Sequence, residues 1–256
     1  MNNQPATVLV VGATGSIGRR VVAEGIRQGY RVRALVRSTT RAKLLPESVE
    51  IVIGDLTRPE TLSDAVEDVD AIVFTHGTTT RESDVQDNDY AGVVNILDAL
   101  AGRRVHLVLM TAVGVTRPGA PYAAWKRRAE KLVRASGNEY TIVRPGWFDY
   151  NDSNQRRIVM RQGDTHRSGS PADGVIARDE LARVLVDSLS TNVAIRKTLE
   201  LAAENGPEQD DLTNTFASLH PDEEGALDGV LDKDLIALQD EPARFQEDLA
   251  RIRKGH

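Results

Sequence analysis

The chain has no cysteine, which excludes disulfides, thiolate metal sites and a cysteine nucleophile. It has no apolar run approaching the length that crosses a bilayer. It shows no internal repeat at solenoid spacing. It has no surplus of basic charge, the formal net charge being −6 over 256 residues. The imbalance is local. From Asn205 to His256 there are 13 acidic and 5 basic residues, so the body before them is slightly basic. That distribution argues against a nucleic-acid surface and leaves room for a local basic pocket. The opening from Met1 to Pro5 lacks a basic n-region and a long apolar segment, so no signal peptide is expected. With the missing cysteine, this suits a reducing cytoplasm. What is present suffices for a sizeable core: 40% of the residues are hydrophobic.

The most informative stretch runs from Thr7 to Gly18. Five residues of strand character (Thr7 to Val11) stop at Gly12, and Gly15 and Gly18 follow at three-residue intervals. Gly12 allows a sharp turn, Gly15 allows close approach of a ligand, and Gly18 allows a helix to sit close on the sheet. Free N–H groups at that helix start would receive a pyrophosphate, with Thr14, Ser16 and Ile17 around it.

The rest of the body alternates. Strands are expected at Arg31–Val36, Val49–Ile53, Ala71–Phe74, Val105–Met110, Tyr140–Arg144 and Thr198–Ala202. Helices are expected near 18–28, Pro59–Val66, Asp89–Leu100, Tyr122–Arg134 and Glu180–Leu189, the last capped by Asp179. A polar loop is expected from Thr75 to Asp87. This order implies an α/β, Rossmann-like, doubly wound parallel sheet. The pattern weakens between Trp147 and Gly174, taken as a small substrate region within an NAD(P)-binding unit spanning 1–204. Residues 205–256 read as an acidic helical C-terminal appendage, with helices at Asp211–Leu219, Glu223–Leu238 and Pro242–Lys254. They are expected to be solvated, docked by Leu and Phe, and dispensable for nucleotide binding.

The spacing G-x-x-G-x-x-G, here Gly12-Ala13-Thr14-Gly15-Ser16-Ile17-Gly18, resembles the extended and atypical branches of the short-chain dehydrogenase/reductase superfamily. Other stretches carry the same resemblance: Gly54-Asp55-Leu56, Asp89-Tyr90 with Asn95, Asp98 and Ala99, Tyr122-Ala123-Ala124-Trp125-Lys126, Glu139 to Gly146, and Ile176 to Ala182. Within the superfamily the chain is most similar to the NmrA-like and flavin-reductase-like group.

An acid at the end of the second strand would accept the ribose hydroxyls of NAD. This chain has Arg37 there instead, followed by Ser38. A guanidinium pairs with a 2′-phosphate, so NADP(H) is the expected cofactor and NAD(H) the alternative. The resemblance implies that Asp55 and Leu56 lie against the adenine; Asp55 also suits a turn. Thr75, His76 and Gly77 end the fourth strand at the crevice, with His76 an incidental lining residue. The resemblance also places Pro145, Gly146, Trp147 and Phe148 beside the nicotinamide. It implies packing more than chemistry for Asp89.

Tyr122 and Lys126 stand four apart, on one helix face. An ammonium there would lower the phenol pKa, and Tyr122 would protonate a carbonyl as hydride arrives. Lys126 would also hold the nicotinamide ribose. Thr111 offers a hydroxyl after the fifth strand, while the superfamily's usual serine aligns with Ala112. No metal is expected. The leading reading is an NADP(H)-dependent oxidoreductase acting on a small carbonyl, quinone or flavin-like acceptor. The rivals are a non-catalytic NADP(H) sensor of the NmrA-like type and a sugar-nucleotide epimerase or dehydratase. The expected partner is a small molecule, with neither nucleic acid nor membrane; the oligomeric state is open.

Overall fold

The computed structural model describes residues 7–78 and 81–255. The opening from Met1 to Pro5 and two residues of the expected polar loop, Thr79 and Thr80, lie outside them. In chain order the first half runs β1 Thr7–Val11, α1 Gly18–Arg27, β2 Arg31–Val36, α2 Thr39–Ala42, β3 Glu50–Ile53, α3 Ser63–Val66, β4 Ala71–Phe74, α4 Glu82–Asp84, α5 Ala91–Leu100 and β5 His106–Met110. Then come α6 Pro121–Ala135, β6 Glu139–Pro145, β7 Trp147–Phe148, β8 Arg157–Arg161, β9 Val175–Ile176, α7 Arg178–Ser190, β10 Lys197–Glu204, α8 Thr213–Ala217 and α9 Ala243–Lys254. A single stretch of π-helix, Val85–Tyr90, joins α4 to α5, so the helix expected at Asp89 begins earlier and with a wider turn.

Eight strands form one sheet in the order β3-β2-β1-β4-β5-β6-β10-β8. Val10 stands opposite Ala34 on one side and Val73 on the other, both in parallel pairings. The order reverses between β1 and β4, which opens a crevice at the carboxyl ends of those strands. The last strand, β8, is antiparallel to β10 and lies inside the stretch where no regular pattern was expected. As the edge strand it has only one fully buried hydrophobic, Ile158, so its alternation is weak. The two-residue strands β7 and β9 pair with each other as a separate small sheet against β10.

Alternate side chains of β1 enter different cores. Val8 and Val10 join the layer under α1 and α7, and Leu9 and Val11 join the layer under α5 and α6. The C-terminal residues complete both layers. Leu212, Phe216 and Leu219 around α8 pack on the first, while Phe245, Leu249 and Ile252 of α9 pack on the second.

The segment joining α8 to α9 corrects the expected helix Glu223–Leu238. Among its residues only Leu238–Asp240 form a single 3₁₀ turn. Four of its eight acids are turned inward. Asp222 accepts from Thr198 Oγ1 at 2.6 Å and from Arg134 Nε at 3.2 Å. Asp228 pairs with Arg127, Asp232 takes both terminal nitrogens of Arg144 at 2.8 Å, and Glu241 pairs with Arg128 and Lys131. Arg127, Arg128, Lys131 and Arg134 are buried although they lie on what would be the outer face of α6, and Arg144 is buried on β6. A segment that turns Asp222, Asp228, Asp232 and Glu241 inward onto neighbouring cations, with Glu223, Glu224, Asp234 and Asp240 left exposed, does not keep helical periodicity, so it is an irregular strap.

Candidate functional site

A cleft of about 970 Å³ runs along the carboxyl ends of the strands. At its centre is the turn after β1. Gly12 has φ +84°, and a Cβ there would come within 2.6 Å of the His76 nitrogen. A Cβ on Gly18 would overlap the Gly12 carbonyl. The two glycines therefore permit the β1–α1 turn to close on itself. The start of α1 has no capping side chain and no acid in its first turn. Its positive end opens on the cleft, which Thr14, Gly15, Ser16 and Ile17 line. That uncompensated N-terminus fits a pyrophosphate.

At the end of the cleft beside β2, Arg37 and Arg41 line the wall, and neither has a carboxylate within 4 Å among the described residues. Ser38 is used to cap α2, its hydroxyl accepting from the Arg41 amide at 3.4 Å. Arg33 points away, toward Glu50 and the Glu67 carbonyl. Asp55 closes a turn by accepting from the Thr57 amide and hydroxyl, both at 2.9 Å. Those bonds, the amide first, and the nearby Arg37 hold its carboxyl below the usual range. Asp55 and Leu56 remain in the cleft wall.

Thr75 fastens β4 to β1 through its amide and hydroxyl, both donating to the Val11 carbonyl at 2.9 Å. The His76 ring packs against Gly92 and Leu56, and burial lowers its pKa, holding it neutral. Gly77 lies beside the carboxylate of Asp89 and the ammonium of Lys126, 3.1 and 3.5 Å from where a Cβ would stand. Asp89 and Lys126 form a buried ion pair, with 7% and 6% of their side chains exposed. Asp89 also accepts from the Thr78 amide at 3.1 Å.

The expected catalytic residues share the cleft but are not joined to one another. Tyr122 begins α6 and is 42% exposed. Lys126, one turn on, is committed to Asp89. The Thr111 hydroxyl donates to Glu130 Oε1 at 2.7 Å. Glu130 is fully buried; burial would raise its pKa, but Arg144 and then Arg134 hold it down to about 2. Ala112, also in the cleft wall, carries no hydroxyl. Pro145, Gly146, Trp147 and Phe148 line the far end. Gly146 is pressed on the Gly174 carbonyl, and the Trp147 ring meets Tyr150 edge-on at 5.8 Å.

Sequence reasoning under-read Asp89, which was assigned packing and turns out to hold Lys126. It also missed Arg117, Arg167 and Asp173 in the cleft wall. Asp89 had a visible signal, since it opens the helix after the fourth strand. Arg117 and Arg167 had none, because they lie in irregular loops that meet across about 50 residues of chain, and Asp173 is spent on the local turn from Ser168 to Ser170. Among the described residues no group of acids and histidines could hold a metal.

The chain matches the model of the NAD(P)H-binding family over residues 12–192. Protein TIC 62, chloroplastic, of Oryza sativa subsp. japonica is 32% identical over 253 residues, covering 84% of this chain and 50% of that protein. An uncharacterized chloroplastic protein of Arabidopsis thaliana is 32% identical over 238 residues, covering 83% and 82%. The chain thus spans half or less of the length of the TIC 62 relatives, the shares in rice, pea and Arabidopsis being 50%, 33% and 36%. Among solved structures, a short-chain dehydrogenase/reductase from Veillonella parvula in complex with NADP superposes with a TM-score of 0.59. It is 18% identical and aligns over 77% of this chain and 94% of that one, a likeness of fold.

Proposed function

The chain belongs to the NAD(P)H-binding family, and on that premise we propose that it is an NADP(H)-dependent reductase of a planar quinone- or flavin-type acceptor. Three features support NADP(H): the open N-terminus of α1, Arg37 and Arg41 without acid partners, and no acid at the end of β2. The cleft lies at the upper end of the size range of small-molecule sites, room for a dinucleotide with a second molecule beside it.

The observation that carries the choice of acceptor is the pairing of Lys126 with Asp89. The Lys126 ammonium is thereby held by a carboxylate, and no hydrogen bond joins it to the Tyr122 hydroxyl among the described residues. Thr111 is held by Glu130 and Ala112 has no hydroxyl, so no proton donor is assembled for a carbonyl oxygen. Reduced nicotinamide, when bound, supplies a hydride. The balance is acceptor plus NADPH plus one proton giving reduced acceptor and NADP⁺. Tyr122 stands at the open edge of the cleft, where water delivers that proton. Trp147 and Tyr122 frame the acceptor, and Lys126 holds the ribose side of the cleft with Asp89.

The test is NADPH oxidation with menadione, a flavin and an aliphatic aldehyde, using the natural chain and Tyr122→Phe. Turnover with menadione or flavin should change less than about fivefold in Tyr122→Phe. A loss of about 100-fold, the scale of a missing general acid, together with a preference for the aldehyde, would overturn the acceptor assignment. The sensor reading is favoured by one observation, the occupation of the Thr111 hydroxyl by Glu130. It requires NADPH binding with no turnover on any acceptor.

A further inference from the structure

At the acceptor end two loops meet: the one between β5 and α6, and the one between β8 and β9. Two buried carboxylates build the junction. Asp164, fully buried, accepts from the Gly114 amide at 2.7 Å and from the Thr116 amide and hydroxyl, both at 2.8 Å. Asp173 accepts from the amides of Ser168 and Gly169 at 2.7 Å and of Ser170 at 3.2 Å. Both acids are thereby spent on shaping backbone. Arg167 is likewise committed, donating to the Thr116 carbonyl at 3.0 Å and pairing with Asp234.

Arg117 lies across the seam between the loops and lines the cleft. It has no carboxylate within 4 Å among the described residues, and its one hydrogen bond there is a marginal 3.5 Å contact to the Ser168 carbonyl. Gly169, at φ +84°, is the close neighbour beneath it: a Cβ there would stand 2.8 Å from Arg117 Nη1. A guanidinium carries five donors in a fixed fork that matches a carboxylate or phosphate. Here the fork is seated by a glycine and left unpaired, at the end of the cleft opposite Arg37 and Arg41.

We propose that Arg117 forms an anion subsite and that the acceptor is a planar molecule bearing a phosphate or carboxylate group. This rests on the reductase reading above for the identity of the bound molecule as an acceptor. Asp164 and Asp173 are positioning residues for it, acting through the loops.

The experiment compares FMN with riboflavin, which differ in one phosphate, on protein saturated with NADP⁺ so that the dinucleotide site is filled. Binding is read by quenching of flavin fluorescence, and the same pair is then used as acceptors of NADPH. FMN should bind about tenfold or more tightly than riboflavin, the scale of one charge-assisted pair. That ratio should collapse to within about twofold in Arg117→Ala, survive in part in Arg117→Lys, and shrink in Gly169→Ala. Equal binding of the two flavins by the natural chain, or an unchanged ratio in Arg117→Ala, would overturn the proposal. An FMN preference that depends on Arg117 but comes with no NADPH oxidation keeps the anion subsite and removes the reductase reading. NADPH oxidation by both flavins with the same KM keeps the reductase reading and removes the subsite.

Discussion

The β1–α1 turn and the strap on α6 solve opposite problems. At the turn the backbone is the working part: glycines remove side chains so that the chain closes tightly and an uncapped helix end opens on the cleft. On α6 the side chains do the work. Five buried cations, Arg127, Arg128, Lys131 and Arg134 of α6 with Arg144 of the adjacent β6, meet acids drawn largely from residues 222–241. The first region is written in twelve consecutive residues. The second joins partners about 90–110 residues apart. A local device tolerates changes elsewhere in the chain, whereas a device made of distant charge pairs fails when either side is removed.

The harshest way to break the comparison is to delete the residues after Gly206. The five cations would lose strap partners, and both core layers would lose a helix. Removing one partner of a buried pair costs about 3–5 kcal/mol, so the losses together exceed the roughly 5–15 kcal/mol that holds a domain. The truncated chain is expected not to fold by circular dichroism, and so not to bind nucleotide. A folded truncated chain with NADPH affinity intact would restore the reading of the tail as dispensable.

Next in size is Gly18→Ala. Its methyl would overlap the Gly12 carbonyl, whereas that of Gly15→Ala would sit 3.1 Å from the same atom. Gly18→Ala should weaken NADPH by about 100-fold or more, about 2.8 kcal/mol, and more than Gly15→Ala does. Titration calorimetry on the folded variants decides, and a Gly18→Ala protein that binds normally would show that the turn's tight closure is unimportant.

Arg37→Ala sharpens the same region. One charge-assisted pair is worth about 1.5–3 kcal/mol, so NADPH should lose that much affinity and NADH far less. Equal losses in parallel titrations would mean that Arg37 does not read the 2′-phosphate.

The smallest effect belongs to the charge network. Burial raises Glu200 to about 8 against the pull of Arg144, and burial raises Glu180 to about 7. Both are protonated in the fold at pH values where the unfolded chain has released its protons. The folded state then binds more protons, so stability is fully present below about pH 4.5 for these two groups and falls as pH rises toward 8. His76 and His106, held neutral by burial, act in the opposite sense near pH 6.5, where the unfolded chain still holds part of their protons, and that opposing slope fades toward pH 8. Melting temperatures over that window should decline, and Glu200→Gln should flatten the decline. An identical slope in the variant would place the titration elsewhere.

The glycine turn, the parallel order of the strands and the missing acid after β2 were legible because each depends on residues adjacent in the chain. The cleft wall was legible in the same way, since strand ends carry it: Asp55, Thr75, Thr111 and Pro145 all stand where a strand stops. The commitments of those side chains were not legible. Nothing near Thr111 announces that Glu130 will take its hydroxyl, and nothing near Lys126 announces Asp89, 37 residues earlier. The strap was misread for a related reason. Leucines at helical spacing among acids match an exposed helix, until the cations that the acids serve are known.

The sequence by itself determined the fold and the nucleotide crevice, because hydrophobic alternation and glycine conformational freedom act over a few residues. Only the tertiary structure decided which charges are paired: Lys126 with Asp89, Arg144 with Glu130 and Asp232, and Arg117 with no acid among the described residues. Charge pairing depends on distance in space and on burial, and neither is a function of position along the chain.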